Sequence, residues 1–203
     1  DTCKLLPGLY LYTAIDDCSR FIVVGVYSRR TATHTLNFLD ERVLEEMPMP
    51  VQRLQTDRGT EFMAMKVQER LRELSIKYRP IRPGAPYLSG KVERAQQTIL
   101  EEFCTTLDLS DPDLADRLEE WQFYYNWQRV HGSLGKPPIN KLFERIDDIP
   151  TWGDVETAYN PARERFRERD YQQDLLMEKL WHSLAANLPP AQEGQAQHKE
   201  KSH

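Results

Sequence analysis

An α/β fold, a mixed sheet flanked by helices with a C-terminal helical extension, is predicted by three observations on this chain of 203 residues. Two runs rich in β-branched and aromatic residues, Leu9 to Ile15 (LYLYTAI) and Phe21 to Tyr27 (FIVVGVY), flank the five polar residues Asp16 to Arg20, the pattern of an antiparallel hairpin. From residue 31 to 107, short apolar runs alternate with stretches of helical period, as in a sheet covered by helices. The composition, 39% hydrophobic and 29% charged, supports one sizeable core plus an appendage.

Each element has a local reason. Asp1 to Leu5 supplies one more strand; because the chain opens on Asp1 rather than Met, this strand is expected to be cut short and a segment upstream to be missing. Thr31 to Glu46 carries Leu36, Leu39, Val43 and Leu44 at helical spacing and is stopped by Pro48 and Pro50. A short strand, Val51 to Gln55, leads through the turn Thr56-Asp57-Arg58-Gly59 to a helix from Glu61 to Leu74, and Ser75 to Tyr78 is a further strand. Arg79 to Gly90 contains Pro80, Pro83, Gly84, Pro86 and Gly90 and reads as a loop. A long helix from about Ser89 to Leu107 follows, then a helix from Asp111 to Val130 whose aromatic cluster, Trp121, Phe123, Tyr124, Tyr125 and Trp127, is expected to pack on the sheet. Pro150 to Leu188 reads as helical, and Pro189 to His203, rich in Gln, Ala and Lys, as disordered. The expected organisation is a core over 1–145, a helical extension over 146–188 and a tail over 189–203.

Several function classes are excluded. No apolar run approaches the roughly 20 residues that cross a bilayer, and Asp1-Thr2-Cys3-Lys4 is not the start of a secretory signal, so a cytoplasmic protein is expected. Cys3, Cys18 and Cys104 lie far apart with no CxxC pair, which suits reduced thiols. His34, His131, His182, His198 and His203 lack the spacing of zinc ligands, and no Gly-x-Ser-x-Gly elbow exists. The net charge of −5 is unevenly spread: Arg53 to Arg94 holds ten basic residues against five acidic, whereas Asp111 to the end holds twelve against seventeen. The middle could hold a polyanion, or these imbalances are solvated helix faces; charge alone leaves both open.

Three carboxylates stand out by context. Asp1 lies on the first strand, Asp57 directly follows a strand, and Glu93 opens the long helix. Metal-dependent phosphoryl transfer needs a few such carboxylates to gather hard cations. Taken singly, each has a plainer explanation: Asp57 as turn former or helix cap, Glu93 as a partner of the helix dipole. Asp16 and Asp17 read as hairpin-turn residues, with Asp17 bonding Ser19 or Arg20.

The combination points further. Asp1-Thr2-Cys3-Lys4, Leu54-Gln55-Thr56-Asp57-Arg58-Gly59-Thr60-Glu61-Phe62 and Pro86-Tyr87-Leu88-Ser89-Gly90-Lys91-Val92-Glu93-Arg94 resemble, in order, the three acidic motifs of the DDE integrase core, shared by retroviral integrases and bacterial insertion-sequence transposases. The 35 residues between Asp57 and Glu93 match the interval of that family. Ala14-Ile15-Asp16-Asp17-Cys18-Ser19-Arg20 is also similar, as are Tyr125-Asn126, His131-Gly132-Ser133-Leu134 and Pro137-Pro138, the last three as in the bacterial branch. The resemblance runs from Asp1 to about Leu142; Ser89 departs from it, standing where many bacterial relatives have Asn.

The resemblance implies a ribonuclease H-like fold in which Asp1, Asp57 and Glu93 bind two magnesium ions about 4 Å apart, with manganese able to substitute. The implied activity is DNA nicking and strand transfer by a transposase or integrase, with transposon ends and target DNA as partners. A homo-oligomer in the synaptic complex and a bacterial protein, nucleoid-associated when on DNA, are implied too. Arg58, Lys91, Arg94 and Gln97 are expected to contact DNA; Gln97, four residues after Glu93, shares its helix face. His131 is expected to pack or cap rather than catalyse. A terminal ammonium on Asp1 is expected to compete with metal. The alternative is a catalytically silent DNA-binding or assembly module on the same fold, and a nuclease is disfavoured by the 35-residue interval.

Overall fold

A computed structural model describes residues 1–81 and 88–164, and in it the hairpin forms as the period-two alternation requires. Strand β2 (Leu9–Ile15) runs antiparallel to β3 (Ile22–Tyr27), with Tyr10 opposite Tyr27 and Ile15 opposite Ile22. The loop between them is organised by Asp16: its carboxylate accepts from the Ser19 N–H at 2.6 Å, the Ser19 hydroxyl at 2.7 Å and the Cys18 N–H at 3.1 Å. Asp16 is thus the turn residue expected, and Asp17 meets Arg20 as expected, its carbonyl accepting from the Arg20 guanidinium. β1 (Thr2–Leu6) pairs antiparallel with β2, Thr2 standing opposite Tyr12. β4 (Arg53–Thr56) and β5 (Lys77–Pro80) run parallel to each other. The strands therefore form two ladders, β1-β2-β3 and β4-β5.

Successive residues of β2 and β3 point to opposite faces, and this divides the core in two. Tyr12 and Val23 face one side, where they meet Phe38, Leu39, Val43, Phe62, Val67, Leu71 and Ile76. Leu11, Ile22 and Val24 face the other, against Ala95, Ile99, Phe103, Leu118 and Tyr125. Fully burying an aliphatic side chain contributes about 1.5–3 kcal/mol, so each face holds a substantial share of the stability.

On the first face, residues 32–46 wind as α1 (Ala32–Asn37), a π-helical turn (Phe38–Val43) and α2 (Leu44–Glu46), opened by the Thr31 hydroxyl, which accepts from the His34 N–H. The helix expected from Glu61 to Leu74 is two pieces, α3 (Thr60–Met63) and α4 (Met65–Glu73), because Ala64 is extended between them. The Gln68 amide donates to the Met63 carbonyl at 2.8 Å and satisfies the end of α3. β5 begins two residues later than expected because Ser75, at φ +56°, turns the chain.

On the second face lie α5 (Gly90–Ile99), which continues through a π-helical turn (Leu100–Cys104), and α6 (Leu114–Trp127). Two amides of α6, one helical turn apart, bind the outer backbone of β3. Asn126 accepts from the Ile22 N–H and donates to the Ile22 carbonyl, both at 2.8 Å, and Gln122 accepts from the Val24 N–H at 2.7 Å. Only part of the aromatic cluster packs as expected: Tyr125 is buried and Trp121 rests against the same core. Phe123, Tyr124 and Trp127 lie on the opposite face, each more than 40% exposed, because a helix with period 3.6 cannot aim five near-consecutive residues at one sheet.

The chain then forms α7 (Pro138–Phe143) and α8 (Trp152–Ala158), the latter opened by a reciprocal cap between Thr151 and Asp154. Glu164 holds Arg79 through two hydrogen bonds, at 2.7 and 2.9 Å, and accepts from the Tyr78 N–H at 3.1 Å. The helix expected from Pro150 to Leu188 is interrupted, since Tyr159 and Asn160 are extended after α8. Its part beyond residue 164, residues 82–87 of the expected loop, and the tail expected to be disordered lie outside the described residues.

Candidate active site

Asp1 is fixed by its own backbone. Its α-amino group donates to the Thr13 carbonyl at 2.8 Å, the Thr13 N–H donates to the Asp1 carbonyl at 2.9 Å, and its Oδ1 accepts from the Thr2 N–H at 2.7 Å. Burial pulls the α-amino group from 8.0 down to about 6, while the negative charges of Asp57 and Glu61 oppose that shift. Two consequences follow. Asp57 and Glu61 both lie within electrostatic reach of Asp1, and the competing ammonium expected from the sequence is largely uncharged at neutral pH.

Asp57 follows the last residue of β4, and its exposed carboxylate accepts from the Gly59 N–H at 2.9 Å. This is the turn-forming contact that its short side chain favours. Glu93 lies in the first turn of α5, exposed, where its carboxylate accepts from the Ser89 hydroxyl. Gln55 of β4 donates through Nε2 to the Leu88 carbonyl at 3.1 Å, so the start of α5 is tied to the strand that delivers Asp57. Asp57 thus lies within electrostatic reach of the Asp1 α-amino group, and Glu93 stands on the helix tied to the Asp57 strand, without a direct contact to either. Among the described residues, no group of three or more His, Cys, Asp or Glu side chains stands close enough to hold a metal ion. The donor chemistry still fits a hard divalent cation: all three are carboxylates, two are exposed and Asp1 is only half-buried.

The residues expected to contact DNA take different positions. Arg58 is half-buried and donates through Nε to the Ile81 carbonyl at 3.1 Å, bracing the end of β5. Lys91 is exposed and forms an ion pair with Asp17 of the β2–β3 loop, also donating to the Asp17 carbonyl at 3.2 Å. Arg94 and Gln97 are exposed on α5; Arg94 donates to the Gln97 Oε1 at 3.3 Å, and Gln97 donates to Glu101 at 2.7 Å.

Glu61 was given no role by the sequence, yet it is 2% exposed and lies beside Asp1 and Asp57. Its Oε1 accepts from the Thr2 hydroxyl at 3.0 Å and faces Arg30 Nε at 3.3 Å, linking β1 to α3. The signal for it was its place in the Thr56 to Phe62 motif. His131 packs edge-on against Tyr125, and burial, with Arg129 and Arg20 nearby, lowers its pKa, which suits the packing role. All three cysteines are free, and burial raises the thiol pKa of Cys3 and Cys104. Among the described residues, no helix is long and apolar enough to cross a membrane.

Comparison with known proteins points to one family. Two family models, each described as Integrase core domain, match residues 1–86 and 74–138. A candidate integrase, ORF3, of Spiroplasma virus SpV1-C74 is 24% identical over 150 residues, 66% of this chain; the chain spans 41% of that relative's length. Among solved structures, the catalytic core domain of BIV integrase aligns over 73% of this chain and 93% of its own, at TM-score 0.59 and 19% identity. The HTLV-2 integrase catalytic core domain, solved in complex with magnesium in a trimeric form, aligns over 65% of this chain and 83% of its own, at TM-score 0.52 and 19% identity. At that identity the likeness is one of fold, and the fold is ribonuclease H-like. Since the two models together span residues 1–138, the first covering Asp1 and Asp57 and the second Glu93, the chain belongs to the integrase core family.

Proposed function

We propose that this chain is the catalytic domain of a DNA transposase or integrase, nicking and joining DNA strands with Asp1, Asp57 and Glu93 as the acidic residues. The observation that supports the reading is that Asp57 lies within electrostatic reach of the Asp1 α-amino group, with Glu93 on the helix tied to the Asp57 strand, all inside the family-matched region. The three carboxylates would hold magnesium, or manganese in its place, as two ions. Such ions, when bound, lower the pKa of an attacking water or 3′-hydroxyl and offset charge on the phosphate.

The chain's own residues do the rest. The paired hydrogen bonds between Asp1 and Thr13 fix the first carboxylate on a rigid strand, and the Gly59 N–H orients the second. Arg58 keeps the Asp57 turn docked on β5. Lys91, Arg94 and Gln97 are exposed along α5, where they meet DNA. A homo-oligomer that brings two DNA ends together completes the assembly.

A second reading, a module that binds DNA or assembles without cutting it, is favoured by one observation: among the described residues, the acidic side chains are not gathered closely enough to hold an ion. The two are separated by incubating the chain with labelled end DNA of its own element and magnesium, alongside Asp57→Asn and Glu93→Gln. The catalytic reading expects nicking and joining to fall by about 10³-fold in each variant, since a bound cation supplies several kcal/mol of charge stabilisation. Unchanged products in both variants would refute it, and DNA binding without any nicking would support the module.

A further inference from the structure

An ionised carboxylate withdrawn from water costs several kcal/mol unless its partners compensate. Glu61 is 2% exposed, and its partners serve one oxygen only. Oε1 takes the Thr2 hydroxyl and faces Arg30, whereas Oε2 is buried with no hydrogen-bond partner among the described residues. The whole carboxylate packs against the turn carrying Asp57: a Cβ placed on Gly59 would lie 2.7 Å from the open Oε2 and 2.8 Å from Oε1. The α-amino group of Asp1 feels Glu61 as well as Asp57. As pure support the arrangement is incomplete: Thr2 and Arg30 both meet Oε1, which leaves the other oxygen of a buried carboxylate unpartnered near Asp1.

We infer that Glu61 is a positioning residue of the catalytic pocket. Through Thr2 it fixes the strand of Asp1, through Gly59 it fixes the turn of Asp57, and its open oxygen accepts a hydrogen bond from a water in the hydration shell of the bound cation. The inference rests on the catalytic reading above and assigns Glu61 no direct contact with DNA. Outer groups that orient a metal's ligands and waters are worth about 10–100-fold in metal affinity or activity.

The test uses the whole 203-residue chain and manganese as the probe, with affinity read by titration calorimetry. Glu61→Gln is expected to keep the thermal midpoint of the parent, to weaken manganese binding about tenfold, and to leave DNA affinity unchanged. Unaltered manganese affinity in a folded Glu61→Gln variant would overturn the inference, and so would a variant that loses stability while binding manganese as the parent does. If Glu61→Gln does not fold, Thr2→Val takes its place: it removes the hydroxyl that reaches Oε1 and is expected to weaken manganese binding, with Thr2→Ser restoring it. Parent-like binding by Thr2→Val would again overturn the inference. Asp57→Asn, measured in parallel, separates the two levels. If Asp57→Asn binds manganese like the parent, the catalytic reading falls and this inference with it; if Asp57→Asn loses binding while Glu61→Gln keeps it, only the role of Glu61 falls.

Discussion

The carboxylate of Glu61 lies against Gly59 so closely that a methyl group on Gly59 would stand 2.7 Å from Oε2 and 2.8 Å from Cδ. Gly59→Ala is therefore expected to destabilise the fold by about 1–3 kcal/mol, the usual cost of overpacking. Glu61→Ala in the same chain removes the clash, so the double variant should lose less than the two single losses added together. Urea unfolding midpoints of the four proteins check this, and strict additivity would show that the two residues do not share one space.

Asn126 binds both backbone groups of Ile22, and no other residue of α6 reaches them. Asn126→Ala should cost about 1–3 kcal/mol for each buried group left unpartnered. Asn126→Asp keeps the acceptor but loses the donor and brings in a buried charge, so it should be no better than alanine. Chemical denaturation monitored by circular dichroism decides it; a loss below about 0.5 kcal/mol in Asn126→Ala would mean that water replaces the amide.

Lys91 and Asp17 form an exposed ion pair, a kind worth about 0–1 kcal/mol, so breaking it should leave stability almost unchanged. DNA affinity should respond instead. Asp17→Asn frees Lys91 for phosphate and should tighten binding, whereas Lys91→Ala should weaken it and reduce the slope of log K against log salt by about 1. Fluorescence anisotropy across a salt series measures both, and equal slopes for Lys91→Ala and the parent would place Lys91 away from DNA.

The α-amino group of Asp1 has a pKa of about 6 in the fold against 8.0 outside it, so between those values the unfolded chain binds more protons and stability rises with pH. Below pH 6 both states are protonated and the penalty of burying the charge is present in full; above pH 8 both are neutral and it is gone. His131, also lowered by burial, adds a rise of the same sign. N-terminal acetylation isolates the Asp1 share: the acetylated chain should gain less thermal stability from pH 6 to pH 8 than the free chain. Identical gains would show that the amine does not titrate in this window.

Much of the fold was legible because its signals are local. The hairpin from Leu9 to Tyr27 announced itself by alternation and a polar turn, and β2 has the bounds expected. The break at Ala64 and the left-handed Ser75 were not legible, since neither position holds the proline or glycine that would mark it. The site divides in the same way. Asp1, Asp57 and Glu93 could be picked out by motif and interval, but Glu61 reads locally as an ordinary acidic residue at a helix start. Its burial depends on Thr2, 59 positions away, and on Arg30, neither of which leaves a trace near residue 61.

The two amides that α6 lays along β3 also bear on how copies of this chain can associate. With the N–H groups of Ile22 and Val24 and the carbonyl of Ile22 already occupied, the first half of that border offers no template for a strand from another molecule. Self-association at this end of the fold is left to side-chain surfaces, and ladder growth of the kind that seeds aggregates is shut off there by two residues.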